Sequence, residues 1–429
     1  MNIAYFFIVV SIVGLLLNFR RAVILLAPLH LILVMFNFPG MPVSPFEIIS
    51  VLVLLFFFCT TKTSEWRGLL KYPFRIGVFV TIISIVGTNF FVVPHWPTAS
   101  LRFISAYVYP IVLWSCIKDK DDFIFLVKSM TVFALVMAGY ILCEVAIGRN
   151  PYIETIVANK WVNGNVIDYT EIRFGLKRCQ GFLSTPAPSG LFFGLFSVVL
   201  YEVSSSLESA RKYLAPMIGL MGLCMLLSGT RSVIAASCVA WIIVVKKEAF
   251  QAKYFIFKLV LVLGLLAVIG PYLYDILDSF LNTEKVHGSN ADMRMEQMMI
   301  TLLYWANSPI WGNGSGFVWD FVKEVNADIA GAESVWFQLL IDMGLVGVVA
   351  YLASVFSVVN VLRKLEKIWV FVPLGFLVGK SLSSVLGMEI SFMFVLGVIL
   401  LKYNELYVES DDEDCDESES NQPHEITKA

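Results

Sequence analysis

Three arginines of this chain stand where a guanidinium can meet phosphate oxygens. Arg178 opens Arg178-Cys179-Gln180-Gly181-Phe182-Leu183-Ser184-Thr185-Pro186, Arg231 closes the break Ser228-Gly229-Thr230-Arg231 between two apolar runs, and Arg294 begins an amphipathic stretch. Arginine keeps its charge and offers a planar fork of donors that matches phosphate. A pyrophosphate handled at a membrane surface needs such equipment. The plainer role for each is an arginine snorkelling at a helix end. Arg102 lies one turn into its own apolar run and is a fourth candidate; Glu47, Glu144 and Glu389 sit near run ends, Lys380 deeper. Some of these charges are expected to pair as structural bridges.

Glu333 precedes Ser334-Val335-Trp336-Phe337-Gln338 at the start of another apolar run. An acid in a first helical turn suits the helix dipole, and it is also placed to act as a general base. Gly312-Asn313-Gly314-Ser315-Gly316 has the composition of a phosphate cradle. It follows no strand and opens no helix with Lys-Ser/Thr, which argues against a nucleotide loop. It reads as a turn beneath a lipid headgroup, with Gly312, Gly314 and Gly316 as candidate substrate contacts. Trp161, Trp305, Trp311, Trp319 and Trp336 either stack on sugar faces or form an interfacial aromatic belt; Trp305 is the candidate contact among them. His95, His287 and the seven cysteines show no metal-ligand spacing, so neither zinc nor a disulfide framework is indicated, and no cofactor is expected.

The elements that must position these residues are membrane helices. Of 429 residues, 58% are hydrophobic and only 15% charged, against roughly 25% charged in soluble domains. The expected fold is all-α: a polytopic transmembrane bundle of about 12–13 spans. Residues 1–402 read as a single transmembrane domain with outer loops at about 148–185 and 275–332, and 403–429 as an acidic, disordered tail. The first run, from Asn2 to about Leu17, lacks a basic leader and a cleavage site, so it reads as a retained helix. Every second connection is basic, from Arg20-Arg21 through Lys62, Lys118 and Arg211-Lys212 to Arg363 and Lys402. The positive-inside rule then puts these loops and the tail in the cytoplasm, and both long loops outside. Asn404–Ala429 holds ten acids against Lys428, so the rest of the chain is net positive. Within the second loop a helix is expected after Asn290, stopped by Ser308-Pro309, with Arg294, Met298, Thr301 and Trp305 on one face. Nothing in the pattern points to nucleic acid.

The order of these motifs resembles the O-antigen ligase and polymerase superfamily. Its pieces here are Arg178/Gly181/Pro186, Ser228/Arg231, Arg294/Trp305/Pro309/Gly312/Gly314/Gly316/Phe317, and Glu333 ahead of Gly344-Leu345-Val346-Gly347. The resemblance implies a metal-independent glycosyltransferase of the bacterial inner membrane. It would use undecaprenyl-pyrophosphate-linked oligosaccharide, with Arg178, Arg231 and Arg294 holding the pyrophosphate. A flippase and a chain-length regulator of the same pathway would be partners. Ligases of the family carry a His near the start of the span after the long loop; this chain has Glu333 there, which favours a polymerase of O-antigen, capsule or exopolysaccharide. A ligase and a flippase for lipid-linked sugars are the alternatives.

Overall fold

The computed structural model describes residues 3–38, 43–62, 66, 69–94, 96–162, 166, 168, 170, 172–173, 176–207, 212–249, 291–318, 321, 334–382 and 389–408. Glu333, His95, His287, Trp319, the expected span at 255–274 and the chain after Val408 lie outside these residues. So do the side chains of Arg294 and Glu389, although their backbone is helical.

The chain is an all-α helical protein. In order come α1 (Ile3–Leu17), α2 (Phe19–Leu33), α3 (Pro45–Thr60), α4 (Arg75–Phe91), α5 (Trp96–Cys116), α6 (Lys120–Ile147) and the short α7 (Pro151–Ala158). After them follow α8 (Pro186–Glu202), α9 (Leu214–Leu227), α10 (Arg231–Ala249), α11 (Ala291–Asn307), α12 (Val335–Leu365), α13 (Phe371–Leu382) and α14 (Glu389–Tyr403). A π turn at Asn404–Val408 carries α14 beyond the expected end of the last span. The one ladder among the described residues, β1 (Ile172–Arg173) against β2 (Leu176–Lys177), is a two-residue clip in the first long loop.

Local signals set the helix ends. Ser44 and Glu47 form a reciprocal capping box ahead of Pro45 in α3. Asp119 caps α6, and Gly148 ends it in the left-handed conformation (φ 75°). Asn150 caps α7 and Ser334 caps α12.

Among the described residues, four helices are long and apolar enough to cross a membrane: Trp96–Cys116, Lys120–Ile147, Val335–Leu365 and Ile390–Val408. Several other expected spans are shorter apolar helices, among them Ile3–Leu17, Pro45–Thr60 and Leu214–Leu227. Helix α8 is buried on every side, as is most of α14, and these two form the axis of the core. The outer helices present apolar side chains outward, including Leu17 on α1, Phe79 and Phe90 on α4, and Val132 and Val136 on α6. Such a surface requires lipid around it.

Close helix contacts depend on small residues. A Cβ on Gly190 or Gly194 of α8 would strike Ser228 or Ser237 on the α10 side, and one on Gly375 of α13 would strike the Ala236 carbonyl. These contacts run α8 parallel to α10 and α13 antiparallel to it.

Candidate functional site

The break between α9 and α10 is the centre of the site. Gly229 takes a positive φ (59°), which reverses the chain after Ser228, and α10 starts at Arg231. The first long loop returns to this break. Cys179 N–H donates to the Leu227 carbonyl at 3.0 Å. Arg178 reaches further: its Nη2 donates to Thr230 Oγ1 at 3.1 Å and its Nε to the Ser228 carbonyl at 3.4 Å. The guanidinium of Arg178 is therefore fixed beside the turn that carries Arg231. Both side chains are half-buried.

A buried polar clamp holds Arg178 in that position. Lys177 Nζ lies 2.8 Å from Glu144 Oε1 and 2.9 Å from Asp168 Oδ1, and both Lys177 and Glu144 are buried. Glu144 also accepts from the Gly181 amide at 2.9 Å. Asn150 ties the same segment down, donating from Nδ2 to the Gly181 carbonyl and accepting the Tyr140 hydroxyl at Oδ1. Burial disfavours the Lys177 ammonium, but the hydrogen bonds and charges of Glu144 and Asp168 outweigh it, and its pKa rises above the ordinary lysine value. Sequence reasoning placed Glu144 near the site but missed Lys177, Asp168 and Asn150. The one signal available was the position of Lys177, directly before Arg178 in a loop.

Other elements converge on this end. The antiparallel packing of α13 on α10 sets the last turn of α13 beside the first turn of α10; a Cβ on Gly379 would lie 3.8 Å from the Ser232 carbonyl. Ser334 Oγ donates to the Ser381 carbonyl at 3.0 Å, pinning the start of α12 to the same corner. Ser334 directly follows Glu333 in the chain. The N-termini of α8, α10 and α12 thus gather where Arg178 bonds to the turn that precedes Arg231. Helix N-termini carry partial positive charge, so the corner is suited to an anion.

The Gly-rich turn has a different set of partners. Its amides already have acceptors within the protein: Gly312 N–H donates to the Ser308 carbonyl, Gly314 N–H to the Asp342 carbonyl, and Gly316 N–H to Asp342 Oδ2 at 3.2 Å. Val318 N–H donates to Asp342 Oδ1 at 2.9 Å. The turn clasps α12 where that helix breaks at Gly344 (φ 64°, ψ −158°). A Cβ on Gly344 would sit 2.5 Å from the Ile310 carbonyl and 2.6 Å from the Gly312 nitrogen. A buried carboxylate therefore takes the place of a phosphate in this cradle. Asp342 was not singled out from sequence, although an acid inside an apolar run is a signal in its own right.

Arg102 has a different partner: its Nε is 4.0 Å from Glu47 Oε1. Trp305 Nε1 donates to the Pro309 carbonyl at 3.0 Å, which secures the end of α11. Arg294 lies on α11 three and seven residues before Gln297 and Thr301, both buried. Among the described residues, no group of three His, Cys, Asp or Glu side chains could hold a metal ion.

Residues 216–352 match the Wzy_C family model, described as O-antigen ligase. The matched stretch runs from α9 into α12 and includes Arg231, Arg294, the Gly-rich turn, Glu333 and Asp342; Arg102 and Arg178 lie before it. No curated protein matches the chain. The family match, on the segment that carries most of the motif order, supports a place for this chain in the O-antigen ligase and polymerase superfamily.

Proposed function

We propose that the chain is a polymerase that joins oligosaccharide units carried on a lipid pyrophosphate. The observation that carries this reading is the hydrogen bonding of Arg178 to the Ser228–Thr230 turn that opens α10 at Arg231. Two guanidinia and three helix N-termini at one corner can take up the charge of a departing diphosphate.

In this mechanism the acceptor hydroxyl oxygen attacks the anomeric carbon of the lipid-linked glycan. The bond from that carbon to the pyrophosphate oxygen breaks, and the acceptor proton passes to Glu333. Arg178 and Arg231, with Arg294, hold the pyrophosphate, and in-line attack inverts the anomeric centre. Trp305 and the turn at Gly312, Gly314 and Gly316 shape the approach of the sugar; their amide and indole hydrogens are engaged, so they would act through shape. Arg102 would act at longer range, through the pair it forms with Glu47. No metal or nucleotide is required.

The test is the glycan profile of a deletion strain complemented with Arg178→Ala or Arg231→Ala. Loss of long chains with single units still attached to their anchor is expected. Normal chain length in both variants would overturn the reading. A ligase is the second reading, favoured by the description of the matched family. Polymer that forms but is never attached would select it.

A further inference from the structure

At the other end of the bundle three cations surround a cavity that the proposed reaction does not use. The cavity measures about 470 Å³ and lies where the α1–α2 turn, the end of α3 and the end of α5 meet. Arg20, Lys62 and Lys118 line it, with Asn18, Thr61 and Ser115, and its lining contains no acid. Of the acids that follow Lys118, Asp119 accepts from the Asp122 amide, and Asp122 is engaged by Arg21 at 3.7 Å and by the Lys118 amide.

The lining hydroxyls are poor anion donors. Thr60 and Thr61 donate back to the Phe56 and Phe57 carbonyls, and Ser115 to Val112. The attraction for an anion therefore comes from the ammonium and guanidinium charges. Beside the cavity the surface is apolar: Leu16 and Leu17 on α1 and Leu55 and Phe58 on α3 all face outward. A cationic pocket at helix ends, next to lipid-facing side chains, is the combination that holds a phospholipid with its phosphate in the pocket and its chains along the helices.

We propose that this cavity binds the phosphate headgroup of an anionic phospholipid. The bound lipid would bridge α1, α3 and α5, at the end of the bundle opposite the Arg178–Arg231 corner. The site is independent of the polymerase reading, and its test does not involve glycan transfer.

The experiment uses the full chain in nanodiscs of phosphatidylcholine doped with phosphatidylglycerol, and reads co-retained lipid by native mass spectrometry. Selective retention of phosphatidylglycerol is expected. Each charge removed should weaken it about five-fold, so Arg20→Ala with Lys62→Ala should weaken it about 25-fold. Lys62→Arg should retain the lipid, and unchanged helical circular dichroism separates lost binding from lost folding. Equal retention of phosphatidylcholine, or no effect of the double substitution, would overturn the proposal. So would full displacement by millimolar inorganic phosphate, which would make this a site for soluble anions. Capture of lipid only after removal of residues 409–429 would assign the cavity to the acidic tail and overturn it as well.

Discussion

Lys177 is a residue whose value lies in what it holds. Its ammonium is the counter-charge to buried Glu144, and together they fix the backbone on which Arg178 sits. Lys177→Met would leave a buried carboxylate without a cation, a change that costs about 3–5 kcal/mol in comparable pairs. A lower melting temperature in detergent and loss of polymer are expected together. Adding Glu144→Gln should recover part of the stability, because the fully buried partner is then uncharged and only Asp168 keeps its charge; absence of any recovery would show that the Lys177–Glu144 pair is not the origin of the loss. The pH dependence follows from the direction of the shift. The folded pKa of Lys177 is raised, so its contribution is complete below the ordinary lysine value and is lost only as pH rises through the folded value. Thermal stability of the wild type should therefore show no Lys177-dependent change across the neutral range, with the difference from Lys177→Met shrinking only in strong alkali. Arg178 could be singled out from sequence because arginine in a Gly/Pro-rich loop is unusual in an apolar chain. The clamp beneath it could not, because Glu144 sits at the end of α6 whereas Asp168 and Lys177 lie in the loop that folds back onto it.

At the scale of elements, α12 and α11 show what pattern reading gains and loses. The apolar run that begins at Val335 was legible as a span, but its break at Gly344 was not. A glycine inside a membrane helix is common, and nothing local distinguishes one that meets another backbone. Gly344→Ala would force a side chain against the Ile310 carbonyl at a positive φ, so the clasp of the Gly-rich turn on Asp342 should open. The expected result is a clear fall in melting temperature with faster proteolysis between α11 and α12; a variant as stable as the wild type would refute the clasp. Helix α11 was legible in its bounds, with its stop at Ser308-Pro309. Its orientation was only half legible. The buried side holds Gln297 and Thr301, whereas Met295, Met299 and Leu303 are exposed, at 54%, 58% and 67%. Met298, expected on one face with Thr301, is 39% exposed. A soluble helix would invert that arrangement. A fluorophore on Leu303→Cys should be quenched by brominated lipid in vesicles, while one on Asn307→Cys should be quenched less. Equal, weak quenching at both positions would remove α11 from the membrane surface.

Across the whole molecule, charge sorts the two ends of the bundle, and this was the most legible property of the sequence. Arg20 and Arg21 meet the α5–α6 connection, where Arg21 donates to the Asp121 carbonyl and Lys120 covers the Tyr407 ring. Lys402 joins them by lying 5.1 Å from the centre of the Trp114 ring on α5, and it pairs with Glu405 at 2.7 Å. Connections far apart in sequence thus assemble into one basic end, as the alternation of loops requires. The opposite end gathers Glu47 with Arg102, Glu144 with Lys177, and Arg178 beside the start of α10. Insertion favours the basic end staying on the cytoplasmic side, because moving lysine and arginine across the bilayer is costly. In a variant with all seven native cysteines changed to Ser, Lys62→Cys should react with an impermeant maleimide only after spheroplasts are broken. Ile310→Cys, in the exposed turn after α11, should react in intact spheroplasts. The reverse pattern would turn the molecule over. It would place the Arg178–Arg231 corner in the cytoplasm, away from glycans assembled on the outer face, and the polymerase reading would lose its substrate.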